Sequence, residues 1–317
     1  MPTPALSVCL PTDTVDTLRG VLERLRAQTI AASIEVVIPT PDGDAARAAV
    51  ANESRFAAVR IVDVPALLPL GRARDAAVRA ATAPYIFLGE THSFAQPEWA
   101  AMLLARHEEG WAVVVPGFAN ANPRGVLSWS GFLMDYGAWA QERPSGELQY
   151  WPLNNASYRR SVLLECGDDL AHSLGYGDQL LISVRARGHR IFFEPRAGLH
   201  HLNVSRLGPW LDERRTAGVV IARYRSSVWS TGKRLAYVLA SPLIPFVLFR
   251  RVAPTVLATI RARRLPLATL PVMFLGALAH GFGEFLGYAR LTSSALAETQ
   301  MAEYEIHKTR YAGRAAP

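Results

Sequence analysis

Cysteine is nearly absent from this chain: Cys9 and Cys166 are the only two in 317 residues, far apart and in no CxxC pattern. Neither a disulfide framework nor a zinc cage can be built from them, and both are expected to pack as small apolar groups. The first twenty residues lack an apolar run of secretory length, since Ala5–Leu10 gives way at once to Pro11-Thr-Asp-Thr14. The part of the chain that carries chemistry is therefore expected on the cytoplasmic side. Internal repeats and low-complexity segments are missing too. Acidic residues are scarce in one place. Arg206–Arg264 holds twelve basic residues against Asp212 and Glu213 alone, a local +10 in a chain of net +7, so the remainder is about −3. Such a surplus suits a phosphate-rich surface, either nucleic acid or anionic lipid.

What is present is apolar. Hydrophobic residues make up 50% of the chain and aromatics 9%, too much for disorder. The mean hydropathy of +0.10 exceeds that expected of a purely soluble enzyme. The length allows one large domain with an appendage, or two domains.

Strand-like and helix-like runs alternate over the first part. Leu6–Leu10 reads as a strand, and Val15, Leu18, Val21, Leu22 and Leu25 follow at helical spacing. Ile34–Ile38, Val59–Val64, Tyr85–Leu88 and Ala112–Val115 read as further strands, separated by helical runs at Ala45–Val50, Gly71–Thr82 and Pro97–Glu109. Five such alternations predict a wound α/β sheet with right-handed crossovers, its loop tips at Pro11, Asp42, Gly71 and Glu90 sharing one edge. From Asn120 to Pro152 the rhythm is lost, and Trp129, Trp139 and Trp151 stand among Gly, Ser and Asn; a lid or substrate-side insertion is expected there. Helices near Arg159–Glu165 and Asp178–Arg187, the latter stopped by Gly188, lead to a last strand at Arg190–Glu194.

The chemistry is expected where the Tyr85–Leu88 strand ends. Glu90 and His92 follow one residue apart, so a turn would present both to one small volume, and Pro97 fixes where the next helix starts. The crevice outside the carboxyl ends of strands in an open sheet is where ligands bind, which makes this pair the leading candidate for holding a metal or an anionic substrate.

The last third changes character. Leu235–Phe249 is an apolar run of 15 residues with Pro242 and Pro245 inside and basic pairs on both flanks, short for a straight span. Leu265–Ala289 runs for 25 residues with only His280 and Glu284 ionisable, which is long enough. Basic clusters at the ends and five prolines in and around these runs suggest broken or re-entrant helices at a cytoplasmic membrane interface. A helical oligomerisation domain is the competing interpretation, because Glu284 is expensive in lipid unless paired.

The order Leu6-Ser-Val-Cys-Leu-Pro-Thr12, Glu35-Val-Val-Ile38 with Asp42-Gly43, Gly71-Arg-Ala-Arg-Asp75, Ala80–Leu88, Asn154-Asn-Ala-Ser-Tyr-Arg-Arg160 and Gly188–Pro195 resembles the family-two glycosyltransferases of the GT-A fold, over about residues 5 to 205. The resemblance implies a Rossmann-like mixed sheet, a nucleotide-sugar donor at the strand tips, usually Mg²⁺ or Mn²⁺, and transfer with inversion. It places Pro11 and Thr12 at the base and ribose, Asp42 on the base, and Arg72 and Arg74 near the phosphates, where a guanidinium suits. The family's acidic metal motif aligns with Glu90-Thr91-His92, with His200 or His201 as a third ligand. One oxygen and one imidazole in place of carboxylates tilt preference from Mg²⁺ towards Mn²⁺. The family's base aligns best with Asp178, with Asp168 and Asp169 as alternatives. Trp151, Asn154 and Asn155 are expected to line the acceptor or donor-sugar pocket.

Taken together, the sequence predicts a transferase domain over 1–205, a basic connector over 206–232, an apolar membrane-associated helical region over 233–290 and a polar tail over 291–317. The expected activity is transfer of a sugar to a lipid-linked or envelope glycan. A nucleotidyltransferase would carry a Gly-rich, lysine-containing loop after the first strand, which Pro11-Thr-Asp-Thr14 is not. A non-catalytic nucleotide-sugar-binding subunit is permitted by the altered metal and base motifs. Nucleic acid is disfavoured as a partner because prolines and long apolar runs adjoin the basic segment. The chain leaves room for oligomers.

Overall fold

The computed structural model describes residues 3–176 and 178–312. In chain order the elements are β1 (Leu6–Cys9), α1 (Leu18–Arg26), β2 (Ile34–Thr40), α2 (Gly43–Ala49), β3 (Ala58–Asp63), α3 (Leu70–Ala80), β4 (Tyr85–Leu88), β5 (Ser93–Ala95), α4 (Trp99–Glu108), β6 (Val113–Asn120) and α5 (Val126–Asp135). Then come β7 (Gly146–Glu147), β8 (Ser157–Arg159), α6 (Arg160–Leu164), α7 (Leu170–Ser173), α8 (Gln179–Ala186), β9 (Ile191–His201), α9 (Leu207–Arg225), α10 (Thr231–Ala240), α11 (Ile244–Arg263), α12 (Thr269–Tyr288) and α13 (Ser294–Ile306). They form two compact units, Met1–Ala119 with Trp139–His201, and Asn120–Ala138 with Leu202–Pro317.

The first unit is built on a mixed sheet of order β3-β2-β1-β4-β8-β6-β9-β5, with β7 beside β9. β1, β2, β3 and β4 are parallel, whereas β8 runs antiparallel to β4 and β5 antiparallel to β9. Every residue of β1 and β2 is buried, as strands covered on both faces require. α1 turns Leu18, Val21, Leu22 and Leu25 inward, the spacing read from sequence. The expected helix stop holds: Gly188 follows α8 at φ +75°, where a Cβ would be strained. At the amino edge Glu35 is buried but satisfied by Ser7 Oγ at 2.5 Å, Arg60 Nε at 2.7 Å and the Thr82 amide at 2.8 Å. These donors from β1, β3 and the loop before β4 tie the strands together through one buried carboxylate.

The second unit is helical. α9 and α12 pack through glycines: a Cβ at Gly218 would run into the carbonyl of His280, and one at Gly283 into that of Arg215. The expected lid between Asn120 and Pro152 is two different things. Val126–Asp135 is a helix whose Ser128–Leu133 are all buried in this unit, with the Trp129 and Phe132 rings edge to face at 5.7 Å. Trp139 onward returns to the first unit. Of the three tryptophans only Trp129 belongs to that helix; Trp139 and Trp151 lie outside it, and both are buried.

By length and composition alone, Thr231–Pro254 and Thr269–Tyr288 are long and apolar enough to cross a membrane; 11% of the first window and 39% of the second are buried.

Candidate active site at the carboxyl edge of the sheet

β4 stops at Leu88 and the chain passes beneath Leu10, the Gly89 amide donating to the Cys9 carbonyl at 2.9 Å. A Cβ at Gly89 would sit 2.8 Å from Leu10 Cδ2 and 3.2 Å from the Cys9 carbonyl, so a larger residue would have to displace the Leu10 side chain. Glu90, Thr91 and His92 follow, all buried. β5 then pairs antiparallel with β9, setting Ser93 opposite His201. That register brings His92 to His201, their Nε2 atoms 3.1 Å apart. Glu90 Oε2 lies 3.2 Å from His92 Nε2 and 3.4 Å from His201 Nε2. Adjacent strand residues face opposite ways, so His200 meets Gln96 Nε2 at 3.0 Å instead. The choice between the two histidines is thereby made: His201 joins the cluster.

Among the described residues this is the group of three ligating side chains that converges, its donor atoms all within 4.8 Å. The three edges of 3.1, 3.2 and 3.4 Å match neighbouring ligands on one cation, which for bonds of about 2.0–2.2 Å stand roughly 2.8–3.6 Å apart. The residues present therefore fit a divalent metal. Glu90 is oriented from behind: Asn155 Nδ2 donates to Oε2 at 2.6 Å and Asn154 Nδ2 to Oε1 at 3.1 Å. Asn155 reaches it from the left-handed region, φ +56°, which asparagine tolerates. Burial pushes the Glu90 carboxyl up, but the His92 charge and hydrogen bonds from His201 and His92 outweigh it and hold the acid well below the usual carboxylate range.

The family model described as Glycosyl transferase family 2 matches residues 7–167. The chain belongs to that family. The transferase has the GT-A fold. Similar solved structures include the mannosyltransferase PcManGT from Pyrobaculum calidifontis in complex with GDP-Man and Mn²⁺ (14% identity, TM-score 0.50, covering 96% of this chain and 88% of that one). GalNAc-T7 with UDP, GalNAc and Mn²⁺ is similar at 14% identity and TM-score 0.51, covering 73% of this chain and 51% of that one. TarS 1-349 of S. aureus in complex with UDP is similar at 16% identity and TM-score 0.47, over 91% and 92%. At such identities the likeness is one of fold. No curated protein matches the transferase by sequence.

The other expected residues of the transferase fall unevenly around the cluster. Pro11 and Thr12 end β1, the Thr12 amide donating to Pro39 O at 3.2 Å while its hydroxyl folds back on Thr14 O at 2.8 Å. Asp42 ends β2 and caps α2 through the Ala45 amide at 3.2 Å. Two strand spacings, about 10 Å, separate the tips of β2 and β4. Arg72 is exposed in the first turn of α3. Arg74 is not free for phosphate as expected: it is buried, and its Nη1 donates to Leu174 O at 3.0 Å. Trp151 likewise corrects its expectation. It is fully buried with Nε1 donating to Tyr158 Oη at 3.1 Å, so its face is packed against protein, not open to a sugar.

Asn154 and Asn155, expected against a sugar, donate to Glu90; the strand that follows them and pairs with β4 is not marked in the sequence. Asp178 precedes α8 without capping it. It follows Gly175, which packs at the first turn of α3, where a Cβ on Gly71 would run into Ala171 O. Asp168 and Asp169 are exposed, beside Gly167, whose carbonyl accepts from Arg79 at the far end of the same helix at 2.8 Å. Eight residues of α3 separate the two places, roughly 12 Å of helix axis.

Proposed function

We propose that the chain moves a sugar from a nucleotide-sugar donor to a lipid-linked or envelope glycan acceptor, with inversion, at the cytoplasmic face of a membrane. The observation that carries this is the buried Glu90–His92–His201 triangle at the carboxyl edge of a family-two sheet. Glu90, His92 and His201 would hold the metal; the two imidazoles favour Mn²⁺ over Mg²⁺. When bound, a divalent cation neutralises charge gathering on a departing nucleoside diphosphate. The relatives in complex with GDP-Man or UDP together with Mn²⁺ support the same donor class here.

The chain's own residues do the rest. Asn154 and Asn155 fix the carboxylate so that one oxygen faces both imidazoles. Pro11, Thr12 and Asp42 flank the nucleoside, and Arg72 reaches its phosphates. Arg74 ties α3 to the Leu174–Gly175 segment that leads to Asp178. Asp178 takes the acceptor hydroxyl's proton as that oxygen attacks the anomeric carbon from the face opposite the diphosphate; the new C–O bond forms as the old one breaks. The exposed apolar helices of the second unit support a lipid-linked acceptor.

The test is donor binding and turnover against a panel of nucleotide sugars, with and without Mn²⁺. Asp178→Asn should bind donor as the parent does yet turn it over about 10²–10⁴-fold more slowly, and Glu90→Ala should lose Mn²⁺-dependent donor binding. Unchanged turnover in either variant overturns the assignment. Donor binding by the parent without any transfer or hydrolysis makes the chain a non-catalytic binding subunit.

A further inference from the structure

The second unit carries an apolar surface that its own packing does not cover. α10 reads Thr-Gly-Lys-Arg-Leu-Ala-Tyr-Val-Leu-Ala, yet none of its described residues is buried. Leu239 is 82% exposed, and Leu243, Phe246 and Val247 continue the same surface into α11. On α12, Leu278 and Phe282 stand four apart on the face opposite the buried Gly276, Ala277, Gly281 and Gly283. A soluble surface would not concentrate its large apolar groups in this way.

The helices are unsuited to crossing a bilayer. Between the basic pairs Lys233-Arg234 and Arg250-Arg251 lie 15 residues, about 22 Å of helix against roughly 30 Å of hydrocarbon. Arg250 and Arg251 then sit in the middle of α11, exposed, one turn beyond Phe246 and Val247 on the same stripe. α12 is bound along its glycine face to α9, which carries Asp212, Glu213, Arg214 and Arg215. The single acid of α12, Glu284, points into that packing, meeting His280 Nε2 at 3.2 Å and Tyr288 Oη at 2.8 Å. α9 thus covers one side of α12 and leaves the Leu278 and Phe282 side as the one open to lipid.

We propose that the second unit is a monotopic anchor, embedded in one leaflet of an anionic bilayer and crossing neither. Leu239, Leu243, Phe246, Val247, Leu278 and Phe282 enter the acyl boundary, while Lys233, Arg250 and Arg251 take the lipid phosphates. Charge complementarity selects this occupant. Exposed apolar groups interleaved with exposed arginines suit a headgroup boundary, where the acyl region takes the former and lipid phosphates the latter. The inference deepens the membrane part of the proposed function and rests on it.

The test uses the full chain and preformed sealed vesicles of phosphatidylcholine with or without phosphatidylglycerol. The parent should co-sediment with the mixed vesicles. Phe246→Asp/Val247→Asp should lower partition about tenfold on both vesicle types, and Arg250→Glu/Arg251→Glu about tenfold on the anionic ones alone. Cysteines introduced as Ser227→Cys, Arg264→Cys and Arg290→Cys should all react with an impermeant maleimide added outside. Protection of any one of the three shows a span and overturns the proposal, as does unchanged partition of both double variants. A lipid-free dimer that the Asp variant converts to monomer assigns the surface to a second copy and equally overturns it. Calorimetric donor binding on the same preparations separates the two ideas: vesicle binding without donor binding sinks the transferase assignment alone, and the reverse sinks the anchor alone.

Discussion

Asn155 does two jobs that few residues could combine. Its backbone sits at φ +56° and its side-chain amide donates to Glu90 Oε2 at 2.6 Å. Glycine reproduces the backbone without strain but not the donor, so Asn155→Gly isolates the hydrogen bond. Partners that orient a metal-binding carboxylate typically account for 10–100-fold in affinity. The expected outcome is therefore a 10–100-fold weaker Mn²⁺ titration by calorimetry, with the fold retained. An unchanged titration would mean that Glu90 needs no orientation from behind. The same residue shows what a family resemblance leaves open: it puts Asn154 and Asn155 beside a sugar, and nothing in their own chemistry distinguishes an amide that meets a hydroxyl from one that meets a carboxylate, as these two do at Glu90. Trp151 and Arg74 failed alike. An indole or a guanidinium serves a pocket or a core equally well, and burial, which decides, is a property of the folded chain.

At the scale of elements the sequence was far more legible. Tyr85–Leu88 is β4 to the residue and the Gly188 stop stands where cap chemistry placed it, while the first helix keeps its buried periodicity but starts at Leu18, Val15–Thr17 forming a 3-10 turn ahead of it. Period-2 and period-3.6 patterns are written along the chain, whereas the pairing of β5 with β9, more than a hundred residues apart, is not; the choice of His201 over His200 depended on that register. The end of α4 shows an element joined through one titratable group. His107 is buried with Nδ1 donating to Trp111 O at 3.0 Å, so the neutral ring accepts at Nε2 from Ser157 Oγ at 2.8 Å. Burial pushes this imidazole down from 6.5 to about 4, against the pull of the Trp111 carbonyl and helped by the charge of Arg159. Between those values the unfolded chain holds a proton that the folded chain refuses. Stability is thus full above pH 6.5 and falls as pH drops towards 4, by on the order of 3 kcal/mol across the window. Urea midpoints measured through that range should show the slope, and His107→Gln should flatten it; an equal slope in the variant would place the sensitivity elsewhere.

For the molecule as a whole, the cluster at the sheet edge couples folding to metal. Glu90 and His92 contribute from the β4–β5 turn and His201 from the end of β9, so the three meet only when the sheet is assembled. A cation that binds the folded chain and not the unfolded one stabilises it by about 2.7 kcal/mol at a hundred times its Kd. With an unfolding entropy of roughly 2.1 cal/mol/K per residue, a chain of 317 residues should melt about 4 °C higher. One carboxylate and two imidazoles make Mn²⁺ the better ligand match, since Mg²⁺ prefers oxygen and gives up its waters reluctantly. The expected order in a thermal melt is a clear rise with Mn²⁺, a smaller one with equal Mg²⁺, and reversal by chelator. His201→Ala should abolish the Mn²⁺ response while His200→Ala, whose ring faces Gln96, keeps it. Equal responses to both cations, or equal damage from both histidine variants, would show that the triangle of buried donors does not bind metal through the atoms that converge there.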